Sequence, residues 1–419
     1  MLTLQAAAKR RTSTARVGLA IAGGGPIGGM YELGALRALD VAIEGLDLTK
    51  LHVYVGVSSG AFLAAGLANR MTPTEMCQVF ITGDADDAKF RPERFLRPAF
   101  NEYFNRARGF PRILFHWWRD LLTRSQDISL SDALVRFGGL VPSGLFDNAE
   151  IERFLRDAFT RHGRSNDFRE LRRRLFVVAV DLDNGEAVRF GGPGWDDVPI
   201  SLAVQASSAL PGLYPPVDIR GRHFVDGALR RTMHASVALD QDIDLLLGLN
   251  PLVPFDASRA SAAGEPRPES LISGGLPMVL SQTFRTLLQS RMQIGMAKYA
   301  QRYEHADQLV FEPNPDDAKM FFTNVFSYSS RQQVVEHAYR ATLADLRARR
   351  EHLGPVLAHH GLRLRDEVLD DDATRTLVSG LGPRGKRHAN TTARLKRALD
   401  DVDALITTRR KQAARRVKP

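Results

Sequence analysis

A three-layer α/β/α sandwich built on a mainly parallel sheet is the fold class this sequence predicts, and three observations carry it. Short, almost continuously apolar runs (VGLAIA from Val17, LHVYVGV from Leu51, LFVVAVDL from Leu175, DIDLLLGLN from Asp242) alternate with helical patterns. Strands buried on both faces of a parallel sheet read in this way. Tight glycine punctuation, GGGPIGG and GVSSG, directly follows the first two runs. The composition, 44% hydrophobic and 25% charged over 419 residues, is globular. Such a length suits one large domain with appendages or two domains.

Taken in order, Val17 to Met71 predicts strand, glycine loop, helix (MYELGALRALDVAIEGL), strand, tight turn and helix (AFLAAGLANRM). Between about residues 72 and 150 the rhythm breaks into an aromatic and basic stretch, predicted to be a helical insertion over the core. Near its end, Asp147 or Asn148 is expected to cap a helix starting at Ala149. Strands resume at 175–182, 186–190, 223–227 and 242–250. From about Gly274 the chain reads mostly helical, most clearly in LRARREHLGPVLAHHGLRL. The expected division is an N-terminal segment 1–15, an α/β domain 16–270 carrying the insertion, a helical C-terminal region 271–380, and a basic tail 381–419.

Cys77 is the single cysteine, so neither an internal disulfide nor a cysteine metal site is available, and a reducing cytosol is the expected setting. No apolar run approaches the roughly 20 residues a membrane-spanning helix needs. Lys9, Arg10, Arg11 and Arg16 precede only six apolar residues before three glycines. A buried first strand explains these letters better than a signal peptide does. The net charge of +9 is concentrated at the end, where twelve Lys and Arg between 384 and 418 face three Asp. Such a tail is drawn to anionic lipid headgroups or to nucleic acid.

The chemistry is expected where strands end. Gly56-Val57-Ser58-Ser59-Gly60 lies between a strand and a helix of small residues, the setting of a nucleophile elbow. Ser58 would stand at the helix N-terminus, where developing negative charge is favoured. The loop Gly23-Gly24-Gly25-Pro26-Ile27-Gly28-Gly29 opens another helix and can gather backbone N–H groups around an anion. The same letters satisfy G-x-G-x-x-G, but a dinucleotide fold needs an acidic residue ending the second strand, and Val55-Gly56-Val57-Ser58 stands there instead. Asp226, in Phe224-Val225-Asp226-Gly227-Ala228, ends an apolar strand and could serve as base in a dry site beside Ser58. His223 and His234 are the nearest histidines in sequence, and His223 is expected on the opposite strand face from Asp226. Asp181 and Asp183 are read as loop caps, and His359 and His360 as solvated helix residues.

Four ordered blocks, GGGPIGG, GVSSG, Ala206 to Pro211 (ASSALP) and Asp226-Gly227-Ala228, make roughly Ala15 to Asn250 resemble the patatin-like phospholipases. The resemblance implies a Ser–Asp dyad of nucleophile Ser58 and base Asp226, with Gly23, Gly24 and Gly25 as oxyanion loop. It also implies hydrolysis of lipid acyl esters with no metal or cofactor, and the 206–211 loop packed beneath the dyad. Two departures stand out: Ile27 where the family usually carries Arg or Lys, and DGA for the commoner DGG. The expected partners are a lipid or acyl-ester substrate and an anionic membrane, met peripherally through the basic tail and the aromatic insertion. In that insertion Ile113, Trp117 and Leu121 would share a helical stripe. A cytoplasmic location follows, and nucleic acid is not expected as a partner. The alternative reading is a catalytically weak lipid- or membrane-binding protein that retains the fold.

Overall fold

Strands without a polar side must be buried on both faces, and a computed structural model shows how. It describes residues 1–11, 15–82, 97–99, 143–161, 163–262, 271–322, 328–371 and 376–377. The described residues belong to one compact unit within 1–377. The basic tail and most of the aromatic insertion, with its 113–122 stripe, lie outside the described residues.

The edge strand β1 (Leu2–Gln5) is followed by β2 (Val17–Ile21), β3 (Ile43–Glu44), β4 (Val53–Gly56), β5 (Arg174–Asp181) and β6 (Ala187–Phe190). Then come β7 (Val217–Ile219), β8 (Arg222–Asp226), β9 (Leu245–Leu249), β10 (Asp307–Phe311) and β11 (Arg363–Leu364). The main sheet runs β1-β10-β9-β2-β4-β5-β8-β7, with β6 also on β5. Its five central strands, β10 to β5, are parallel. The register aligns Ile21 with both Gly56 and Leu249, and Gly56 with Val177, so β2, β4 and β9 all end at one edge.

The helices are α1 (Gly25–Ala42), α2 (Ser59–Ala68), α3 (Pro73–Cys77), α4 (Ala149–Phe159), α5 (Ile200–Ser207) and α6 (Ala235–Leu239). They continue as α7 (Ala257–Ala262), α8 (Gly275–Arg302), α9 (Ala318–Phe322), α10 (Tyr328–Ala348), α11 (Arg350–His359) and α12 (Asp366–Leu369). Successive strand residues point to opposite faces, which makes two cores. Val55 joins Ala20, Val178, Leu246 and Val310 against α6 and the Met292, Met296 and Tyr299 side of α8. Its neighbour Gly56 lies on the other face, against Ala61 and Ala64 of α2.

Several expectations are refined. Asn148 is the N-cap of α4, yet it is the Asp147 side chain that accepts the Ala149 N–H, at 2.9 Å. The C-terminal region is not only helical, since it supplies β10 and β11. The run 346–364 breaks at Arg349 and ends as β11, paired with β3. His360 is the main correction: it is buried, not solvated, with Nε2 2.8 Å from Asp307 Oδ2. Helical periodicity put it on a surface, but α11 ends there against the start of β10, where a buried carboxylate needs donors. Among the described residues no helix is long and apolar enough to cross a membrane.

Burial raises the Asp307 carboxyl, but His360, Arg10 and the Ala7 amide outweigh it and hold the group at about 2. A depressed carboxyl stabilises the fold above its unfolded value and loses that effect only as pH falls toward about 2. Asp307→Ala is expected to lower stability near neutral pH by about 3 kcal/mol, because it strands buried donors. Urea unfolding with an unchanged m-value is the check.

Candidate active site

Between the end of β4 and the start of α2 only Val57 and Ser58 are left to turn the chain. Ser58 takes φ 50° and ψ −122°, strained territory that costs about 1–3 kcal/mol and persists only where the surroundings enforce it. The enforcement is visible. Its N–H donates to Ser207 Oγ at 2.9 Å, and that hydroxyl donates onward to the Val178 carbonyl at 2.6 Å. The Val57 N–H donates to the Ile21 carbonyl at 3.1 Å. A side chain at Gly60 would run into the Ala22 carbonyl, so only glycine lets α2 begin this close to β2.

Asp226 closes β8 opposite Ala179 of β5, with its N–H donating to the Ala209 carbonyl at 3.0 Å. The 206–211 loop therefore grips both candidates, Ser58 through Ser207 and Asp226 through Ala209. The Asp226 carboxylate accepts the Ala228 N–H at 2.8 Å and is 3% exposed. Burial pushes its carboxyl up to about 6, while hydrogen bonds from the Ser58 side chain and the Ala228 amide pull it back down. A carboxylate so tuned can take and return a proton near neutral pH.

The glycine loop lies on the other side. A Cβ on Gly23 would come within 2.9 Å of Ser58 Cβ and 3.1 Å of Ala228 Cβ, so the loop packs on Ser58 and on the turn that follows Asp226. The Gly23 N–H is already engaged, donating to the Thr232 carbonyl at 3.2 Å. The Gly24 and Gly25 amides donate to no acceptor among the described residues, and they open α1, whose dipole favours an anion. Ile27 is half-buried in the first turn of α1.

The histidines stand apart. His223 is exposed and faces Asp183, at 3.6 Å. His234 is buried with Nε2 3.2 Å from the Gly227 carbonyl, so it braces the turn after Asp226. Burial and then the charges of Arg231, Arg189 and Arg230 push it down to about 4, against the pull of the Gly227 bond, so it is neutral at physiological pH. Asp181 pairs with Arg222 and accepts the Asp183 N–H, in keeping with a capping role. Among the described residues no cluster of three metal-ligating side chains occurs.

Two supporting residues had no sequence signal of their own. Ser207 lies in a quoted block, but its bond partner is 149 positions away. Glu32, wholly buried on α1, accepts the Ser59 hydroxyl at 3.3 Å, and burial pushes its carboxyl well above the usual range. Inside an amphipathic pattern it reads as one more helical glutamate.

A serine on a strained strand-to-helix bend, between a buried carboxylate and open amides, is an arrangement suited to nucleophilic acyl transfer. The family model of the patatin-like phospholipases matches residues 19–239, just over half of the chain, and the chain belongs to that family of lipid hydrolases. Solved structures to which it is similar include VipD from Legionella pneumophila, at 14% identity and TM-score 0.30 over 87% of this chain and 81% of that one. The type III effector ExoU is similar at 17% identity and TM-score 0.29, over 83% of this chain and 65% of that one. ExoU of Pseudomonas aeruginosa in complex with SpcU gives 16% identity and TM-score 0.28, over 82% and 63%. The chain thus spans a little under two thirds of ExoU.

Two stability measurements test this geometry. Ser207→Ala leaves a buried N–H and carbonyl unpaired and is expected to lower stability by about 1–3 kcal/mol in chemical unfolding. A carboxyl raised in the folded state stabilises below its unfolded value and loses that contribution as pH rises through about 6. Asp226→Asn is therefore expected to be more stable than the native chain at pH 8, by about 2 kcal/mol, and to converge with it in mild acid.

Proposed function

We propose that the chain hydrolyses acyl esters of lipids through a Ser58–Asp226 dyad. The observation that carries the reading is that one segment holds both the strained Ser58 bend, through Ser207, and the buried Asp226 carboxylate, through Ala209. As an ester carbonyl enters, Ser58 Oγ attacks its carbon and the hydroxyl proton passes to Asp226. The Gly24 and Gly25 amides donate hydrogen bonds to the carbonyl oxygen as negative charge develops on it. Gly23 contributes by having no side chain, which lets the loop approach Ser58. Collapse of the tetrahedral intermediate expels the alcohol, which takes the proton back from Asp226. Water then attacks the acyl-serine as Asp226 takes its proton, the bond from the acyl carbon to Ser58 Oγ breaks as that oxygen takes the proton back from Asp226, and the fatty acid leaves.

Every step uses the chain's own groups. His234 has its ring nitrogen on a backbone carbonyl and stays neutral, so it supports the turn instead of transferring protons. Ile27 offers no charge to a headgroup phosphate, which supports selection by the acyl ester more than by the headgroup. The same residue favours the second reading, a lipid-binding protein with weak turnover.

Labelling by a fluorophosphonate, mapped to Ser58 and absent in Ser58→Ala, is the direct test. Turnover of a chromogenic acyl ester is expected to fall at least about a thousandfold in Ser58→Ala. Unchanged turnover would overturn the dyad, and slow turnover in both proteins would favour the second reading. Because Asp226 works only when ionised, kcat/KM of the native chain is expected to rise with pH through about 6 and then level off.

A further inference from the structure

We propose that α8 is a docking element for the surface of an anionic phospholipid bilayer, and that it brings the bilayer to the edge of the sheet where Ser58 stands. The proposal rests on the lipid-hydrolase reading for its purpose, but its evidence is a separate surface.

Exposed large apolar side chains are normally scattered singly over a protein. Of the ten among the described residues, seven fall between 272 and 294. Ile272, Leu276, Val279, Leu280, Phe284 and Leu287 are between 43% and 79% exposed. Positions 276, 280, 284 and 287 follow helical spacing, so they share one face. From 272 to 287 the single charged residue is Arg285, and it turns inward. Its guanidinium donates to the Pro251 and Val253 carbonyls and lies 5.2 Å from the Phe321 ring centre. The outward side of these four turns therefore carries no charge, in a chain whose composition is one quarter charged.

Past this stretch the helix changes character. Arg291 and Lys298 join Arg230 and Arg231 around a cleft of about 190 Å³ that has no Asp or Glu in its lining. None of the four forms an ion pair with a described residue; Arg230 and Arg291 donate to the Gly185 and Leu229 carbonyls, and Arg231 to Ser236 and Tyr299. At 1.5 Å per residue, Arg291 lies roughly 10 Å along the axis from Phe284, comparable with the depth of one headgroup layer. The amphipathicity runs along α8 instead of across it, apolar toward its start and cationic toward its end. This gradient matches a helix whose apolar start reaches the acyl region while its cationic later turns stay at the phosphates.

The apolar half also stands in the right place. Asn250, Pro251 and Val253, which follow the end of β9, bond to Gln289 and Arg285. Thr232, whose carbonyl takes the Gly23 N–H, reaches the Leu288 carbonyl at 3.5 Å. Two further exposed leucines flank the same edge: Leu182 just beyond β5, and Leu210 next to the Ala209 that holds Asp226. An ester lifted from a bilayer at this edge has the shortest route to the bend.

The test uses full-length protein carrying Ser58→Ala, so that binding is measured without hydrolysis and survives any failure of the dyad. Leu280→Asp with Phe284→Asp is expected to weaken co-sedimentation with phosphatidylcholine–phosphatidylglycerol vesicles at least tenfold, with an unchanged circular dichroism spectrum. In the Ser58-intact chain the same pair is expected to leave turnover of a soluble short-chain ester unaltered. Arg291→Glu with Lys298→Glu is expected to abolish the preference for these vesicles over pure phosphatidylcholine. A smaller than tenfold fall overturns the proposal, as does a native dimer that the aspartates dissociate while vesicle binding persists. Insertion is read directly from an environment-sensitive dye on Leu280→Cys, because Cys77 is buried with its thiol pushed up to about 12 and does not compete. A blue shift on adding vesicles is expected there and not at Lys50→Cys, which precedes β4 at the opposite edge. Equal responses at both positions overturn the proposal.

Discussion

The backbone of Ser58 stands in a conformation that an unrestrained serine leaves, and the site depends on what prevents it from leaving. Foremost among the restraints is one hydroxyl. Ser207 Oγ takes the Ser58 N–H and gives its own proton to the Val178 carbonyl, tying the bend to the next strand of the sheet. Two residues further on, the Ala209 carbonyl takes the Asp226 N–H. The end of α5 and the short loop after it thus set the distance between the serine and the carboxylate. Buried hydrogen bonds of this kind act less through their net strength than through the penalty for breaking them.

Burial then sorts the titratable groups by task. Asp226, Glu32 and His234 all lose water, and each moves toward its neutral form. For Asp226, hydrogen bonds to the charged form limit the shift, leaving it near the pH where a general base works best. For Glu32 the single opposing bond, from Ser59 at 3.3 Å, leaves burial to push the carboxyl well above the usual range. For His234 the surrounding arginines add to desolvation and remove the competing base. Three groups within one region therefore behave differently because their second contacts differ.

The sheet edge that gathers these groups also gathers exposed apolar surface, and the two facts have one origin. Parallel strands bring every bend and helix start to their C-terminal edge, where loops are free to vary. Helix α8 passes this edge on its way to β10, with Met292, Met296 and Tyr299 anchoring its later turns to the core. Its earlier turns are held on one side only, by Met278, Gln282 and Arg285 against Phe255, Phe321 and the chain after β9, and they present leucine and phenylalanine outward. A lipid substrate and an apolar rim around its entry make the same physical demand.

By itself the sequence determined six of the strands, among them four of the five central parallel ones, with the glycine loop, the elbow and the order of the four family blocks. These depend on local rules: period-two burial, glycine where backbone must approach backbone, and a helix following each bend. It also separated His223 from Asp226 by strand alternation, and it marked Ser58, Asp226 and the three glycines as one set. Only the tertiary structure decided that Gly23 contributes its missing side chain while Gly24 and Gly25 keep open amides. The bracing by Ser207, the buried Glu32 behind the elbow and the burial of His360 on Asp307 emerged in the same way. Each of these rests on a contact between residues far apart in the chain, and burial and hydrogen-bond partners across such distances are properties of the packed sheet that no local pattern encodes.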